Sequence, residues 1–152
     1  MRQLVIAVGI LLFATAIGPA HAASSEDEAA IRATALDYLE GWYAGDAARM
    51  EQALHPDLAK RIVRPDADGK RDRVEHMGAL LLVQYTRAAY GARTPKSEQQ
   101  KDVTILDVYG NTASVKTVAR DFIDYLHLGK VNGEWKIINV LWEMKPEPET
   151  GN

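Results

Sequence analysis

Few side chains in this sequence could carry acid–base or metal chemistry. Among its 152 residues there is no Cys, which excludes a disulfide, a thiolate nucleophile, an iron–sulfur cluster and a thiolate zinc site. His55, His76 and His127 show no H-x-H or H-E-x-x-H spacing, so we expect no metal site and no cofactor. His55 precedes Pro56 and is either a helix-end residue that meets the helix dipole or a base in a pocket. His76 is expected to be a solvated residue at a helix start.

Asp124 is the acidic residue whose surroundings point to chemistry. On a strand it shares a face with Leu126 and other apolar residues, because alternate side chains of a strand point the same way. A carboxylate on such a face either exchanges a proton, or pairs with an Arg such as Arg61 or Arg64, or accepts from backbone amides. Together with His55 and Tyr38, it completes our set of candidates for proton transfer.

Aromatic residues indicate a binding pocket more strongly. They come from two predicted helices and two predicted strands that would converge on one cavity, and their rings suit a flat or apolar ligand with a few polar groups. The expected ligand-binding residues are Tyr38, Trp42, Tyr85, Tyr125, His127 and Trp142. His127 could face either the pocket or the outer side of the sheet. Aromatic residues at these spacings are also common in a plain hydrophobic core, and that interpretation stays open.

Three helices are predicted to position these groups. The first begins at a cap provided by Ser25 and ends near Gly45. Its buried face repeats at the helical period in Ile31, Ala35, Tyr38, Leu39 and Trp42. Asp46 can cap a second helix over residues 47–54. A third helix is predicted over residues 75–90. Its expected apolar face consists of Met77, Leu80, Leu81, Tyr85 and Ala88.

Beyond the third helix the hydrophobic period changes from about 3.6 to about 2, which indicates strands. Gly110-Asn111 and Asn132-Gly133 are hairpin turn signals, so two hairpins are predicted. Because residues 112–131 are much longer than an ordinary strand, we expect a bulge or sharp bend near Arg120-Asp121. Helices followed by strands predict an α+β fold in which the helices pack on a curved antiparallel sheet.

Four segments carry a resemblance to a known superfamily. Their sequences are YLEGWYAGD, LHPDLA, LDVYGNTASV and FIDYLHLGKVNGEWKIIN. They resemble the nuclear transport factor 2-like (NTF2-like) superfamily, and within it the group described as "putative lumazine-binding", close to SnoaL-like and ketosteroid-isomerase-like domains. The resemblance covers residues 27–145. It implies a cone of three N-terminal helices on a strongly curved antiparallel sheet, with a pocket at the open end and often a dimer across the sheet, but it implies no particular reaction.

Residues 1–22 are expected to be a secretory signal peptide. Arg2 precedes an apolar run over residues 4–17, which is short for a membrane span of about 20 residues. Ala20 and Ala22 fit a cleavage pattern, so we expect cleavage after Ala22, export to a bacterial periplasm and a single mature domain over residues 23–152. An uncleaved N-terminal anchor is the alternative. After cleavage, no membrane association is expected.

These patterns predict an exported domain that binds a small hydrophobic or aromatic molecule. Two alternatives stay open: an isomerase, dehydratase or cyclase that uses the proton-transfer candidates, and a protein-interaction module that uses the outer sheet face. A homodimer is expected through the strand face that carries Val115, Thr117 and Ala119. The net charge is −3 and basic residues do not cluster around aromatic ones, so nucleic acid is not an expected partner.

Overall fold

Three helices and six strands interleave along the chain in the computed structural model, which describes residues 24–146. The helices are α1 Ser25–Ala44, α2 Ala47–Ala53 and α3 Ala79–Arg87, and two short 3₁₀ turns cover Gly91–Arg93 and Lys96–Glu98. The strands are β1 Leu54–Pro65, β2 Asp72–Met77, β3 Asp102–Tyr109, β4 Thr112–Val118, β5 Phe122–Val131 and β6 Glu134–Met144. The predicted signal peptide lies outside the described residues.

The first two helices form as the sequence predicts, with one shift at the start. Ser24, not Ser25, caps α1, and its hydroxyl accepts a hydrogen bond from the Asp27 amide. Gly45 ends the helix in the left-handed conformation, at a φ of 67° that favours glycine. Asp46 then caps α2 by accepting from the Arg49 amide. Because only two residues, Gly45 and Asp46, separate the two helices, α1 and α2 turn sharply against each other.

The sheet is mixed, with the strand order β2-β1-β6-β5-β4-β3. All neighbouring strands are antiparallel except β1 and β6, which run parallel. The expectation of a purely antiparallel sheet is therefore wrong. The reason is that a hairpin turn in the sequence predicts a pair of antiparallel strands. β1 and β6 are far apart in the chain, so no local sequence pattern predicts their pairing.

The third helix is shorter than predicted and comes later than a set of N-terminal helices would. Residues 72–77 form β2, which pairs with β1, and only Ala79–Arg87 is helical. Leu82, Val83 and Thr86 are its buried residues, whereas Leu80 is 73% exposed. The predicted face was wrong because the run of apolar residues that starts at Met77 in β2 continues into α3 and imitates one helical stripe.

The predicted bend near Arg120-Asp121 is a complete chain reversal. The Ala119 amide donates to the Phe122 carbonyl over 2.9 Å, and β4 and β5 run antiparallel from there. Residues 102–144 thus form three successive hairpins, and the last turn has Asn132 and Gly133 at φ 52° and 85°, as the Asn-Gly signal predicts. The reversal brings Asp121 beside the start of β5.

The three helices cover one face of the sheet and share a single hydrophobic core with it. Inward residues of β1, β4, β5 and β6 meet the buried faces of all three helices in that core. Val115, Thr117 and Ala119 are fully buried, so the strand face that we expected to form a dimer is instead the face that the helices cover. Within residues 24–146, no helix combines the length and hydropathy that crossing a membrane requires.

Candidate functional site

A cavity of about 440 Å³ lies where α1, α3 and the sheet meet. Four of the predicted ligand-binding residues line it together: Tyr38, Trp42, Tyr85 and Trp142. Phe122 and Tyr90 also line it, and neither was predicted. Tyr85 and Tyr90 are substantially exposed, whereas Tyr38 is buried, so the cavity deepens from an aromatic rim towards α1 and the sheet.

The rings form a wall of edge-to-face contacts. Phe122 lies between two tryptophans, with its ring centroid 6.4 Å from that of Trp42 and 6.1 Å from that of Trp142, at interplanar angles of 80° and 85°. At the rim, Tyr85 and Tyr90 meet at 5.4 Å. Such T-shaped pairs hold ring orientation beyond what area burial alone provides. The wall is therefore an ordered apolar surface of the kind that contacts a flat ligand.

Gly91 makes the aromatic wall possible on the α1 side. A Cβ atom at this position would lie 2.4 Å from the Trp42 carbonyl oxygen and 2.5 Å from two atoms of its indole ring. No side chain fits there without displacing Trp42 or the Gly91 backbone. The sequence places Gly91 only as a helix stop, but in the structure its missing side chain allows the tryptophan to pack at the cavity.

A buried polar network forms beneath the rings. The Lys60 Nζ atom donates to Asp124 Oδ1 over 2.5 Å and to the Tyr38 hydroxyl over 2.9 Å. The Tyr38 hydroxyl and the Thr117 hydroxyl donate to Asp124 Oδ2 over 3.3 Å and 3.2 Å. Asp124 is 0% exposed and Lys60 is 5% exposed. Burial of charge is tolerated here because each charged group has a partner of opposite charge and further hydrogen bonds.

Burial shifts the titration of two members of the network. Desolvation lowers the pKa of Lys60, and the nearby Asp124 carboxylate only partly offsets this effect. Desolvation also raises the pKa of Tyr38 well above its ordinary value, and Asp124 adds to the rise because a second negative charge beside it is unfavourable. Near neutral pH, Tyr38 is therefore a neutral hydroxyl that both donates and accepts.

Lys60 is a residue of the cavity that the sequence did not lead us to predict. It lines the cavity, and its Nζ atom lies 4.4 Å from the centroid of the Trp142 ring, within cation–π distance. The proposed partners of Asp124, Arg61 and Arg64, are not the ones found. A signal was present, since Lys60 alternates along β1 with the apolar residues Leu58 and Ile62 and so shares their inward face.

Tyr125 and His127 lie on the opposite face of β5 from Asp124. The inward positions of the strand are Asp124, Leu126 and Leu128, so the residues between them point away from the helices. Tyr125 is 49% exposed. His127 lines a separate groove of about 300 Å³ on that outer face. The structure therefore does not bring these two residues to the cavity.

His55 is also apart from the cavity. It belongs to β1, two residues beyond Ala53, the last residue of α2, and its Nδ1 atom accepts a hydrogen bond from the Asp57 amide over 3.1 Å. The proton-transfer set of His55, Tyr38 and Asp124 is consequently not assembled. His76 is an exposed residue of β2 and not of a helix start. In the described part of the chain, no three His, Asp or Glu residues cluster closely enough to hold a metal ion.

Comparison with known proteins places the chain among similar folds. The profile of a family described as "Putative lumazine-binding" matches residues 26–143. No curated protein matches the chain. An NTF2-like protein of unknown function from Shewanella baltica is 19% identical over 83% of this chain and 99% of its own, with a TM-score of 0.63.

Two further solved structures are similar at the same low level of identity. A protein of unknown function with a cystatin-like fold from Nostoc punctiforme is 17% identical over 83% of this chain and 96% of its own, with a TM-score of 0.57. A ketosteroid isomerase-like protein from Erwinia carotovora atroseptica is 15% identical over 81% and 100%, with a TM-score of 0.52. These likenesses establish the α+β fold and leave the function to the site.

Proposed function

This chain belongs to the family described as "Putative lumazine-binding", and we propose that it binds a small, flat aromatic or heteroaromatic molecule in the cavity between α1, α3 and the sheet. One observation carries the proposal: the aromatic wall ends on a buried lysine. Lys60 donates to Tyr38 and Asp124, and an ammonium group has three N–H groups. Among the residues that the structure describes, no third one accepts a hydrogen bond from Lys60, so one N–H of the ammonium is left for a ligand.

The two kinds of surface select different features of a ligand. The rings of Trp42, Phe122 and Trp142 favour a planar apolar body, since burial of apolar surface contributes about 25 cal/mol per Å². The Lys60 ammonium favours an acceptor on that body, such as a carbonyl oxygen, a ring nitrogen or a carboxylate. The preferred ligand is therefore a flat ring with an acceptor at one end.

A pteridine with ring carbonyls meets these requirements. The family description names lumazine, a planar bicyclic compound whose carbonyl oxygens and ring nitrogens are acceptors. The cavity of about 440 Å³ lies within the range of small-molecule sites, about 300–1,000 Å³. Lumazine is for these reasons the first compound to test.

Calorimetric titration with lumazine tests the proposal. We expect saturable binding that Trp142→Phe weakens by about tenfold, because the smaller ring loses contact area and its cation–π contact with Lys60. Tyr125→Ala is the matched control, since Tyr125 is exposed on the opposite face of the sheet. The proposal fails if lumazine and simple aromatic carboxylates all show no binding. It also fails if Tyr125→Ala weakens binding as much as Trp142→Phe does.

Proton transfer remains the second candidate function on one specific observation. Tyr38 and Asp124, two of the three predicted acid–base residues, are hydrogen-bonded beside the cavity. His55 does not line it, so an isomerase, dehydratase or cyclase at this site would need Lys60 in its place. Turnover of a ligand that binds, measured by chromatography of the recovered compound, separates an enzyme from a simple binding protein.

Export and dimer formation complete the proposal. We propose that residues 1–22 direct secretion, in which case N-terminal sequencing of the exported protein begins at Ala23. An intact Met1 in the exported fraction contradicts this.

A homodimer stays a prediction, and its surface must now be sought on the outer sheet face. There, Tyr125 of β5 and Leu141 of β6 are paired and exposed. Light scattering at micromolar concentration decides between dimer and monomer.

A further inference from the structure

We propose that Lys60 forms a protonated imine with an aldehyde or ketone group on a ligand held in the cavity. The inference rests on the proposed function, because the cavity must first hold a flat carbonyl compound. It goes further by assigning a covalent, reversible attachment to one amine. The observation behind it is the position of a buried amine that lines an aromatic cavity and is hydrogen-bonded to a carboxylate and a phenol.

The geometry leaves the amine accessible from one side only. Asp124 and Tyr38 hold two N–H groups of Lys60, and the Nζ atom lies 5.6 Å from the centroid of Phe122 and 4.4 Å from that of Trp142. A carbonyl group on a ring placed against this wall meets Lys60 from the cavity side. Holding the two reactants together in this way raises their effective concentration.

Attack on a carbonyl requires the neutral amine, and the network provides a route to it. Asp124 Oδ1 lies 2.5 Å from Nζ, so a proton can move from Lys60 to Asp124 within an existing hydrogen bond. Lys60 is almost completely buried, and a low-dielectric environment disfavours its charged form relative to the neutral amine. The pKa of Lys60 is accordingly lowered, and desolvation is the main cause. A buried lysine of this kind is a typical amine nucleophile.

The reaction balances with the groups present. The lone pair of the neutral Lys60 amine attacks the carbonyl carbon, so the C–N bond forms and the C=O π bond breaks. A proton then moves from the nitrogen to the former carbonyl oxygen, which becomes the hydroxyl of a carbinolamine. Protonated Asp124 then returns its proton to that hydroxyl, the C–O bond breaks, and water leaves. The product is an iminium ion on Lys60, and Asp124 is again a carboxylate beside the positive charge. Overall, one ammonium and one carbonyl give one iminium ion and one water molecule.

Lys130 provides the internal comparison for reactivity. It too is paired with an aspartate, Asp27, over 2.8 Å. However, its side chain is 33% exposed, and it lines none of the aromatic wall. It does not line the cavity that Lys60 lines. Selective reaction of Lys60 over Lys130 would therefore report the cavity and not merely an aspartate neighbour.

Reductive trapping tests the inference. The full chain is incubated with benzaldehyde and sodium cyanoborohydride near neutral pH, and the benzylated lysines are located by peptide mass spectrometry. We expect Lys60 to be labelled at least about tenfold faster than Lys130, because binding raises the local aldehyde concentration. An excess of lumazine should protect Lys60 alone. Labelling of Lys60 that is no faster than that of Lys130 overturns the inference.

Two variants keep the test decisive. Lys60→Met removes the amine, and Lys60→Arg removes it while keeping a cation for Asp124, so the second variant is expected to fold even if the first does not. Both should lose the fast label and retain the slow labelling of Lys130. If lumazine binds by calorimetry but Lys60 is not selectively labelled, only the imine is excluded. If lumazine, benzaldehyde and simple aromatic carboxylates all fail to bind, the proposed function fails as well.

Discussion

Strand β5 takes part in two lysine–aspartate pairs that are similar in chemistry and opposite in setting. At one end, Lys130 of β5 contacts Asp27 of α1 over 2.8 Å. At the other end, Asp124 of β5 contacts Lys60 of β1 over 2.5 Å. The side chains of the first pair are 33% and 23% exposed, whereas those of the second are 6% and 0% exposed. The difference between the pairs lies in access to water and in what surrounds them.

The Asp27 pair is a clamp that closes the start of α1 onto the sheet. Besides Lys130, the Asp27 carboxylate accepts from the indole Nε1 of Trp135 over 3.0 Å and from the Ser24 hydroxyl over 3.0 Å. These bonds, that from Lys130 foremost, hold the pKa of Asp27 at about 2. The groups that donate to Asp27 all belong to this domain and join α1 to the sheet. We therefore assign a structural role to the pair.

The Lys60 pair has the same charges but stands against a cavity. Three rings lie within 6 Å of its Nζ atom, and one face of the amine is turned towards the space that a ligand would fill. The comparison teaches that an aspartate–lysine contact is not itself a sign of function. Burial together with an adjacent cavity is what distinguishes a pair that can act on a ligand from one that fastens a helix.

Removal of Asp124 should have the largest effect on stability. Asp124→Ala leaves the Lys60 ammonium buried without a counter-charge, and such losses amount to about 3–5 kcal/mol. Urea unfolding of the variant measures the change. The double variant Lys60→Met/Asp124→Leu removes both charges and should recover most of the loss. If the free energy of unfolding of Asp124→Ala lies within about 1 kcal/mol of the wild-type value, the pair is not a buried ion pair.

A methyl group added on the cavity side should be the next most harmful change. Gly91→Ala drives a Cβ into the Trp42 backbone and indole, and overpacking of this kind costs about 1–3 kcal/mol. Ligand affinity should fall as well, because Trp42 is displaced from the wall. Thermal unfolding and calorimetry measure the two effects.

Gly129→Ala, next to Lys130 at the clamp end, is the matched control. Its Cβ would come too close to one atom, the Ile138 Cδ1 at 2.6 Å, and this is the far end of a side chain that can rotate away. We expect a smaller loss of stability and no change in ligand affinity. Equal losses in both variants would show that the packing of Gly91 has no special relation to the cavity.

Acid should weaken the clamp, and the sign follows from the lowered pKa of Asp27. A carboxylate whose pKa is about 2 when folded and 3.8 when unfolded stabilises the fold above pH 3.8, and this contribution disappears as the pH falls from there towards 2. Asp27→Asn should therefore be less stable than the wild type at pH 5, and the gap should narrow on acidification. Urea midpoints between pH 5 and pH 2 measure this. A gap that stays constant over that range would contradict the assignment.

Much of the fold was predictable because it is recorded in local periodicity. The buried stripe of α1, the Asp46 cap and the Asn132-Gly133 turn all depend on residues close in sequence. The parallel pairing of β1 with β6 does not, since it joins the first and the last strand in chain order. The boundary between β2 and α3 was missed because apolar residues run continuously across Gly78, so no change of composition marks it.

The candidate site was predictable in part: four of its aromatic residues and Asp124 were found from the sequence, whereas Lys60 was not. Trp42 and Trp142 were found from spacing, since large aromatic residues on inward faces must gather somewhere. Lys60 was missed because a lysine inside a strand is ordinarily assigned to solvent, although its alternation with Leu58 and Ile62 gave it an inward direction. Tyr125 was misplaced because the inward phase of β5 was not applied to it.

Salt should produce the smallest effect and separate the two pairs most directly. Lys130→Met removes an ion pair that is partly exposed to solvent, and solvent-accessible pairs contribute little and are screened by salt. Its loss of stability should shrink between low salt and molar sodium chloride. Lys60→Met leaves the buried Asp124 carboxylate without a counter-charge, and mobile ions do not reach it. Its larger loss of stability should therefore be nearly the same at both salt concentrations. Urea unfolding at both salt concentrations gives the two differences. If the loss in Lys60→Met is screened as strongly as that in Lys130→Met, water and ions reach the floor of the cavity, and the contrast between the pairs is one of geometry rather than of solvent access.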